Sequence, residues 1–198
     1  MLDELGVSRL LDVGSGAGKF SVVAAACAPR ITFVGIEHRP HLVAAARALA
    51  ESVGVGNVTF EQGDVTARSW APFDGVYVFN SFSENGLSPL VQIDQTVELS
   101  AVHRLDEVMR VERCLAMRDE GAILLTYHGL GGPIPSSYEC VREERVGTDR
   151  LRAWRKGNTT PNGEYWFEDG TKVWRATIDE IVLRMGGVLP LPRGAGAS

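Results

Sequence analysis

Leu10-Leu11-Asp12-Val13-Gly14-Ser15-Gly16-Ala17-Gly18-Lys19 decides the fold of this 198-residue chain. Arg9-Leu10-Leu11-Asp12-Val13 reads as a short buried strand that carries one acid near its end. Gly14, Gly16 and Gly18 alternate with small residues, as in a turn where backbone must come close to a ligand. Lys19 to Cys27 then continues as a helix packed on the sheet. A glycine-rich turn between a strand and a helix is a nucleotide-type site.

The spacing narrows the ligand. A dinucleotide fingerprint is G-x-G-x-x-G, with the pyrophosphate on the helix N-terminus. Here the pattern is G-x-G-x-G, and Lys19 stands where the third glycine belongs. Asp12 points the same way. A carboxylate at the strand end repels a pyrophosphate and suits a ligand with positive charge, such as one carrying an ammonium and a sulfonium. S-adenosylmethionine has both. The plain alternative is a glycine-rich turn that holds nothing, and the rest of the chain weighs against it.

Composition bounds the class. One domain with a full core fits this length. Hydrophobic residues make up 44% and charged residues 23%, as in an ordinary globular protein. The net charge of −5 argues against nucleic acid as a partner, which calls for a basic face. Arginines cluster between Arg142 and Arg155, but Glu139, Glu143, Glu144 and Asp149 are interleaved with them, as on a solvated mixed-charge surface. Cys27, Cys114 and Cys140 are isolated, with no zinc spacing and no disulfide framework. That fits a reducing cytoplasm. The longest apolar run, Val22 to Ala28, is too short to span a bilayer. No metal is expected, because no His, Cys, Asp or Glu cluster has ligand spacing.

Strands and helices alternate along the chain. Ile31–Ile36 reads as a second strand and His41–Val53 as an alanine-rich helix closed by Gly54 and Gly56. Val58–Gln62 and Asp74–Phe79 suggest a third and a fourth strand. Val91–Met117 has a helical pattern, long enough that its first part is a loop or a separate helix. Ala122–Tyr127 makes a fifth strand, and Gly129–Pro135 is expected to be a loop. Tyr138–Arg145 and Arg150–Lys156 read as an antiparallel hairpin at the sheet edge, where charge resists unwanted pairing. Alternating strands and helices imply a doubly wound, mostly parallel sheet with helices on both faces. Residues 1–156 form the ligand-binding domain. Residues 157–198 form a C-terminal extension packing on it, with an amphipathic helix over Thr177–Met185 and a frayed end after Gly187.

Ligands of open α/β sheets bind outside the carboxyl ends of the strands. Asp12, Glu37, Asp64 and Asn80 fall at or just beyond four such ends. A carboxylate such as Glu37 accepts both hydroxyls of a ribose. Asp64 can accept from an exocyclic amine, and Val65 can pack on a base. At these residues the sequence resembles the class I S-adenosylmethionine-dependent methyltransferases over about residues 7–156. The resemblance rests on Leu11 to Gly18, Gly35-Ile36-Glu37, Gln62-Gly63-Asp64-Val65 and Asp74-Gly75-Val76. It implies a Rossmann-like, seven-stranded sheet with an antiparallel last strand. It also implies that Asp12, Gly14, Ser15, Gly16 and Gly18 line the methionine end, Glu37 the ribose and Asp64 the adenine amine. S-adenosylhomocysteine would be the product. His38, beside Glu37, either borders the adenosine or faces water.

Asn80-Ser81-Phe82 departs from the family. Many nitrogen methyltransferases carry Asp/Asn-Pro-Pro-aromatic here, and some protein-lysine methyltransferases carry Asn-Asn-Phe. The Asn80 carbonyl would accept from a target amine while Phe82 shapes the slot; the plainer reading is a turn cap and a core ring. His128, at the end of the fifth strand, could take the acceptor's proton; the plainer reading is a histidine that bonds to backbone. The acceptor reads as a small molecule or a protein side chain, with nitrogen favoured. Oligomeric state stays open, a dimer included. The rival readings are a non-catalytic module that binds the same cofactor and a nicotinamide-dependent oxidoreductase.

Overall fold

The structure, a computed structural model, describes residues 1–79, 101–127, 134–147, 149–158, 164–166 and 172–174. Its main sheet is built from β1 (Arg9–Val13), β2 (Thr32–Glu37), β3 (Val58–Gln62), β4 (Gly75–Phe79), β5 (Ile123–Tyr127), β7 (Tyr138–Val146) and β8 (Asp149–Lys156). Three helices, α1 (Lys19–Cys27), α2 (Pro40–Val53) and α3 (Ala101–Ala116), pack around it. The strand order is β3-β2-β1-β4-β5-β8-β7. The first five are parallel, and β8 and β7 run antiparallel. This is the doubly wound sheet with a terminal hairpin that the sequence implies.

Alternation along the strands splits the core in two. Leu10, Phe33, Tyr77 and Leu125 face α1 and α2, where Val22, Ala25, Val43 and Ala46 meet them. Leu11, Val13, Val34, Val76 and Leu124 face the other way, against Val111 and Leu115 of α3. Covering both faces explains why β1 and β4 read as nearly continuous apolar runs. The lower rim is pinned by Asp74, whose Oδ2 accepts from the backbone N–H groups of Ser8 and Arg9, both at 3.0 Å. Asn57 closes the other side, donating to the carbonyls of Ala25, Ala28 and Ile31 where α1 ends.

The end of α3 is held by side chains of the hairpin. The Tyr138 hydroxyl donates to the Leu115 carbonyl at 3.0 Å, and Lys156 Nζ donates to the carbonyls of Leu115 and Ala116. A cation at a helix C-terminus also complements the helix dipole. Tyr138→Phe is expected to lower unfolding free energy by about 1 kcal/mol, the net worth of one buried hydrogen bond. Urea denaturation reads it. Unchanged stability would mean that Lys156 alone satisfies this carbonyl.

One expectation needs correction. Gly129–Pro135 is not wholly a loop, because Ile134–Pro135 forms the short strand β6. It pairs with β9 (Glu164–Trp166), which pairs with β10 (Lys172–Trp174) in a separate three-stranded sheet. Ile134 is buried, so its backbone needs partners. Pro135 is tolerated because β6 is an edge of that sheet. The early part of the Val91–Met117 stretch, the helix expected over Thr177–Met185 and the chain end lie outside the described residues.

Candidate functional site

The glycine turn is built on left-handed backbone. Gly14, Gly16 and Gly18 have φ of 67°, 54° and 74°. The N–H groups of Gly14 and Ser15 both donate to the Ile36 carbonyl, at 3.0 and 3.1 Å, which seats the turn on β2. A Cβ on Gly18 would stand 2.6 Å from the Phe60 ring and 2.7 Å from Ala46. A Cβ on Gly16 would meet nothing within 4 Å. Gly18 is therefore glycine for packing, whereas Gly16 faces open space where a ligand can approach.

Glu37 ends β2 and closes this turn. Its side chain is 2% exposed, and both carboxylate oxygens accept hydrogen bonds. Oε2 accepts from the Gly16 N–H at 3.0 Å, and Oε1 accepts from the N–H and the Nε of Arg39, both at 3.0 Å. Burial raises its pKa, but the hydrogen bonds and charge of Arg39 outweigh this and hold the carboxyl below its usual range. Glu37 is thus a buried anion at the site. His38 is about half exposed, with Nδ1 3.4 Å from Glu37 Oε1.

Asp12 is a different kind of acid. It is buried in β1 and accepts from Ser21 Oγ of α1 at 2.6 Å. Burial pushes its pKa up from 3.8 to about 7; Ser21 opposes this and the charge of Glu37 adds to it. The native state holds this proton more tightly than the unfolded chain does. Its stabilising effect is therefore complete below pH 4 and lost as pH rises through 7. At about 1.4 kcal/mol per unit, some 4 kcal/mol is at stake. Asp12→Asn removes this slope, so its stability relative to the parent chain is expected to rise between pH 5 and pH 8. Urea denaturation at the two pH values decides it, and an equal difference at both would contradict it.

Asp64 stands just past β3 and is exposed. Oδ1 accepts from the N–H and hydroxyl of Thr66, at 2.8 and 2.7 Å, capping the 3-10 turn Val65–Ala67. Oδ2 lies 3.7 Å from Arg110 of α3. Val65 is buried in the core cluster on the α3 side, and its carbonyl accepts from Trp70 Nε1 at 2.9 Å. The strand order then aligns the acids along one edge: Asp64 beyond β3, Glu37 ending β2, and Asp12 with the glycine turn at β1. Beyond β1 on this edge are the tips of β4 and β5, where Phe79 and Tyr127 stack with centroids 5.5 Å apart. Asn80, Phe82 and His128 lie outside the described residues. Among the described residues no group could hold a metal ion, and no helix is long and apolar enough to cross a membrane.

Several supporting residues went unread in the sequence. Arg39 keeps Glu37 ionised, Ser21 holds Asp12, and Thr66 and Arg110 engage Asp64. Arg39, only two positions from Glu37, carried a usable signal. The motif Gly35-Ile36-Glu37 does not show why its first residue is glycine: a Cβ there would stand 2.6 Å from Phe60 and 2.7 Å from Ser15. The Ser15 Oγ is buried and finds no hydrogen-bond partner.

Comparison with known proteins bears on this geometry. A family model described as a methyltransferase domain matches residues 7–170. An RNA methyltransferase from Salinibacter ruber, solved with S-adenosyl-L-homocysteine, is 22% identical at a TM-score of 0.56. The match covers 81% of this chain and 90% of that one. TrmN from Thermus thermophilus is 19% identical at a TM-score of 0.53, over 75% of this chain and 44% of that one. An O-methyltransferase from neocarzinostatin biosynthesis, solved with S-adenosylmethionine and 2-hydroxy-5-methyl naphthoic acid, is 12% identical at a TM-score of 0.54. It matches over 77% of this chain and 50% of that one. At such identities the likeness is one of fold. No curated protein matches the chain.

Proposed function

The chain belongs to the methyltransferase-domain family, and from that premise we propose that its strand tips hold S-adenosylmethionine for methyl transfer to a nitrogen acceptor. The observation that carries the reading is Glu37. A buried, ionised carboxylate joined to the Gly16 N–H sits beside the turn where backbone is open. Such a group accepts the two ribose hydroxyls. Asp64 then accepts from the adenine amine, with Val65 beside the base, and His38 borders the adenosine. The methionine end lies along Gly14, Ser15, Gly16 and Gly18, above Asp12. A cationic ligand favours the ionised form of Asp12, so cofactor binding near pH 7 expels a proton.

With adenine toward β3 and ribose at β2, the sulfonium falls at β1 and the methyl group points toward β4. The acceptor lone pair attacks that methyl carbon in line as the carbon–sulfur bond breaks. S-adenosylhomocysteine leaves as the neutral thioether. Alignment and a dry site supply most of the rate. The acceptor amine donates to the Asn80 carbonyl beside Phe82, and His128 takes the proton it loses. These three roles rest on the sequence pattern. The acceptor is a small molecule or a protein side chain, and the net charge of −5 weighs against nucleic acid.

Residues 157–198 belong to the same unit as 1–156, a reading supported by the pairing of β9 with β6. Cys27, Cys114 and Cys140 are free, which suits a reducing compartment such as the cytoplasm. Calorimetric titration tests the cofactor. S-adenosylmethionine and S-adenosylhomocysteine are expected to bind one per chain, and NAD to give no heat. Binding of NAD without either adenosyl compound would overturn the assignment.

A further inference from the structure

Two buried acids, Asp12 of β1 and Glu37 of β2, stand on neighbouring strands. Among the described residues, the one permanent cation within ion-pair distance of either is Arg39, 3.0 Å from Glu37. The other groups around Glu37 do less for its charge. His38 Nδ1, 3.4 Å away, adds a charge only when protonated. Gln62, level with Glu37 on β3, is neutral, and Asp12 has the same sign as Glu37. Arg39 grips one oxygen twice: its backbone N–H and its Nε both donate to Oε1, at 3.0 Å each. Its backbone is set for this grip. Arg39 is the N-cap of α2, extended at φ −81° and ψ 111°, the conformation that a following proline such as Pro40 imposes. Its carbonyl accepts from the N–H groups of Leu42 and Val43, which ties it to the first turn of α2.

We infer that Arg39 is a positioning residue for the cofactor's ribose, and that through Glu37 it makes affinity for the adenosyl group insensitive to pH across neutrality. This deepens the function proposed above and rests on that reading. Ribose hydroxyls donate, and an ionised carboxylate is the strong acceptor for them. A carboxylate as buried as Glu37 is otherwise driven to take a proton, and the negative charge of Asp12 adds to that drive. The guanidinium of Arg39 offsets both. Without it, a proton competes with the ribose for Glu37. Binding that needs the ionised form is complete at high pH and lost as pH falls through the titration of the carboxyl. A residue that served packing alone would weaken the site by the same factor at every pH.

The test is a calorimetric titration of the full chain with 5′-methylthioadenosine at pH 8 and pH 6. This neutral nucleoside keeps the adenine and the ribose but has no ammonium or sulfonium to draw the proton from Asp12. The unaltered chain is expected to bind it equally at both pH values, within about twofold. Arg39→Met keeps an apolar stem and loses the charge. It is expected to match the unaltered chain within about twofold at pH 8 and to bind about fivefold or more weakly than it at pH 6. Arg39→Lys restores the charge and with it the flat profile. Glu37→Gln added to Arg39→Met abolishes the pH dependence, because an amide does not titrate. His38 is common to every chain in the series and cancels in the comparison. Melting curves at both pH values check that each variant is folded, and Arg39→Gln replaces Arg39→Met if the latter is not. Equal weakening at both pH values, no weakening at either, or a pH dependence that survives Glu37→Gln would overturn the inference while leaving the cofactor reading intact. Failure of the unaltered chain to bind either 5′-methylthioadenosine or S-adenosylhomocysteine would overturn that reading, and this one with it.

Discussion

Glu37→Ala is expected to weaken S-adenosylmethionine binding by about 2–3 kcal/mol, or about 30- to 150-fold. Hydrogen bonds to a charged acceptor are worth more than neutral ones, and two hydroxyls would be lost together. The variant does further harm inside the protein. The Gly16 N–H loses its acceptor, and Arg39 loses both of its hydrogen bonds to this carboxylate. Glu37→Gln separates these effects. It keeps the shape and one acceptor oxygen but loses the charge, so its affinity is expected to fall between the parent and Glu37→Ala. Calorimetry reads the affinities, and a melting curve checks that each variant is folded. Parent-like affinity in a folded Glu37→Ala would remove this residue from the site.

Gly18→Ala is expected to cost about 3 kcal/mol of stability. At φ 74° a Cβ costs roughly 1–2 kcal/mol through backbone strain alone. It also stands 2.6 Å from Phe60 and 2.7 Å from Ala46, and overpacking of this kind typically adds 1–3 kcal/mol. Neither neighbour moves freely. Ala46 is fixed to its helix, and the Phe60 carbonyl accepts from Arg47 at 2.7 and 3.1 Å. Gly16→Ala makes the contrast. Its φ is also positive, but the added methyl meets nothing, so only the strain of about 1 kcal/mol remains. Its damage is expected in cofactor affinity, where the methyl projects toward the ligand. Urea denaturation of both variants decides this, and equal stability losses would refute the distinction between the two glycines.

Much of this was legible in the sequence because the signals were local. A strand, three alternating glycines and a helix occupy consecutive residues, so β1, the turn and α1 follow from pattern alone. The acids at the ends of β2 and β3 were found because each follows its own strand directly. What escaped depends on pairing between distant segments. Nothing near Glu37 announces that it bonds to Gly16, since that contact forms only once β2 lies beside β1. Phe79 and Tyr127 become a stack only in the register of β4 with β5. The sheet of β6, β9 and β10 escaped for another reason. Strands of two or three residues are too short to show a period, and Pro135 pointed to a loop. The pattern marks Asp12 as an acid near the strand end, but not its burial against Ser21, which pushes its pKa up to about 7 and depends on α1 packing on β1.

The most direct measurement is a crystal structure of the full chain soaked with S-adenosylhomocysteine. The expected density places both ribose hydroxyls on the Glu37 carboxylate, the adenine amine at Asp64 and the amino-acid end along Gly14 to Gly18. An adenosyl group lying elsewhere, or an empty edge in crystals that bind a pyrophosphate compound at the same turn, would contradict the assignment of these strand tips to a cationic methyl donor.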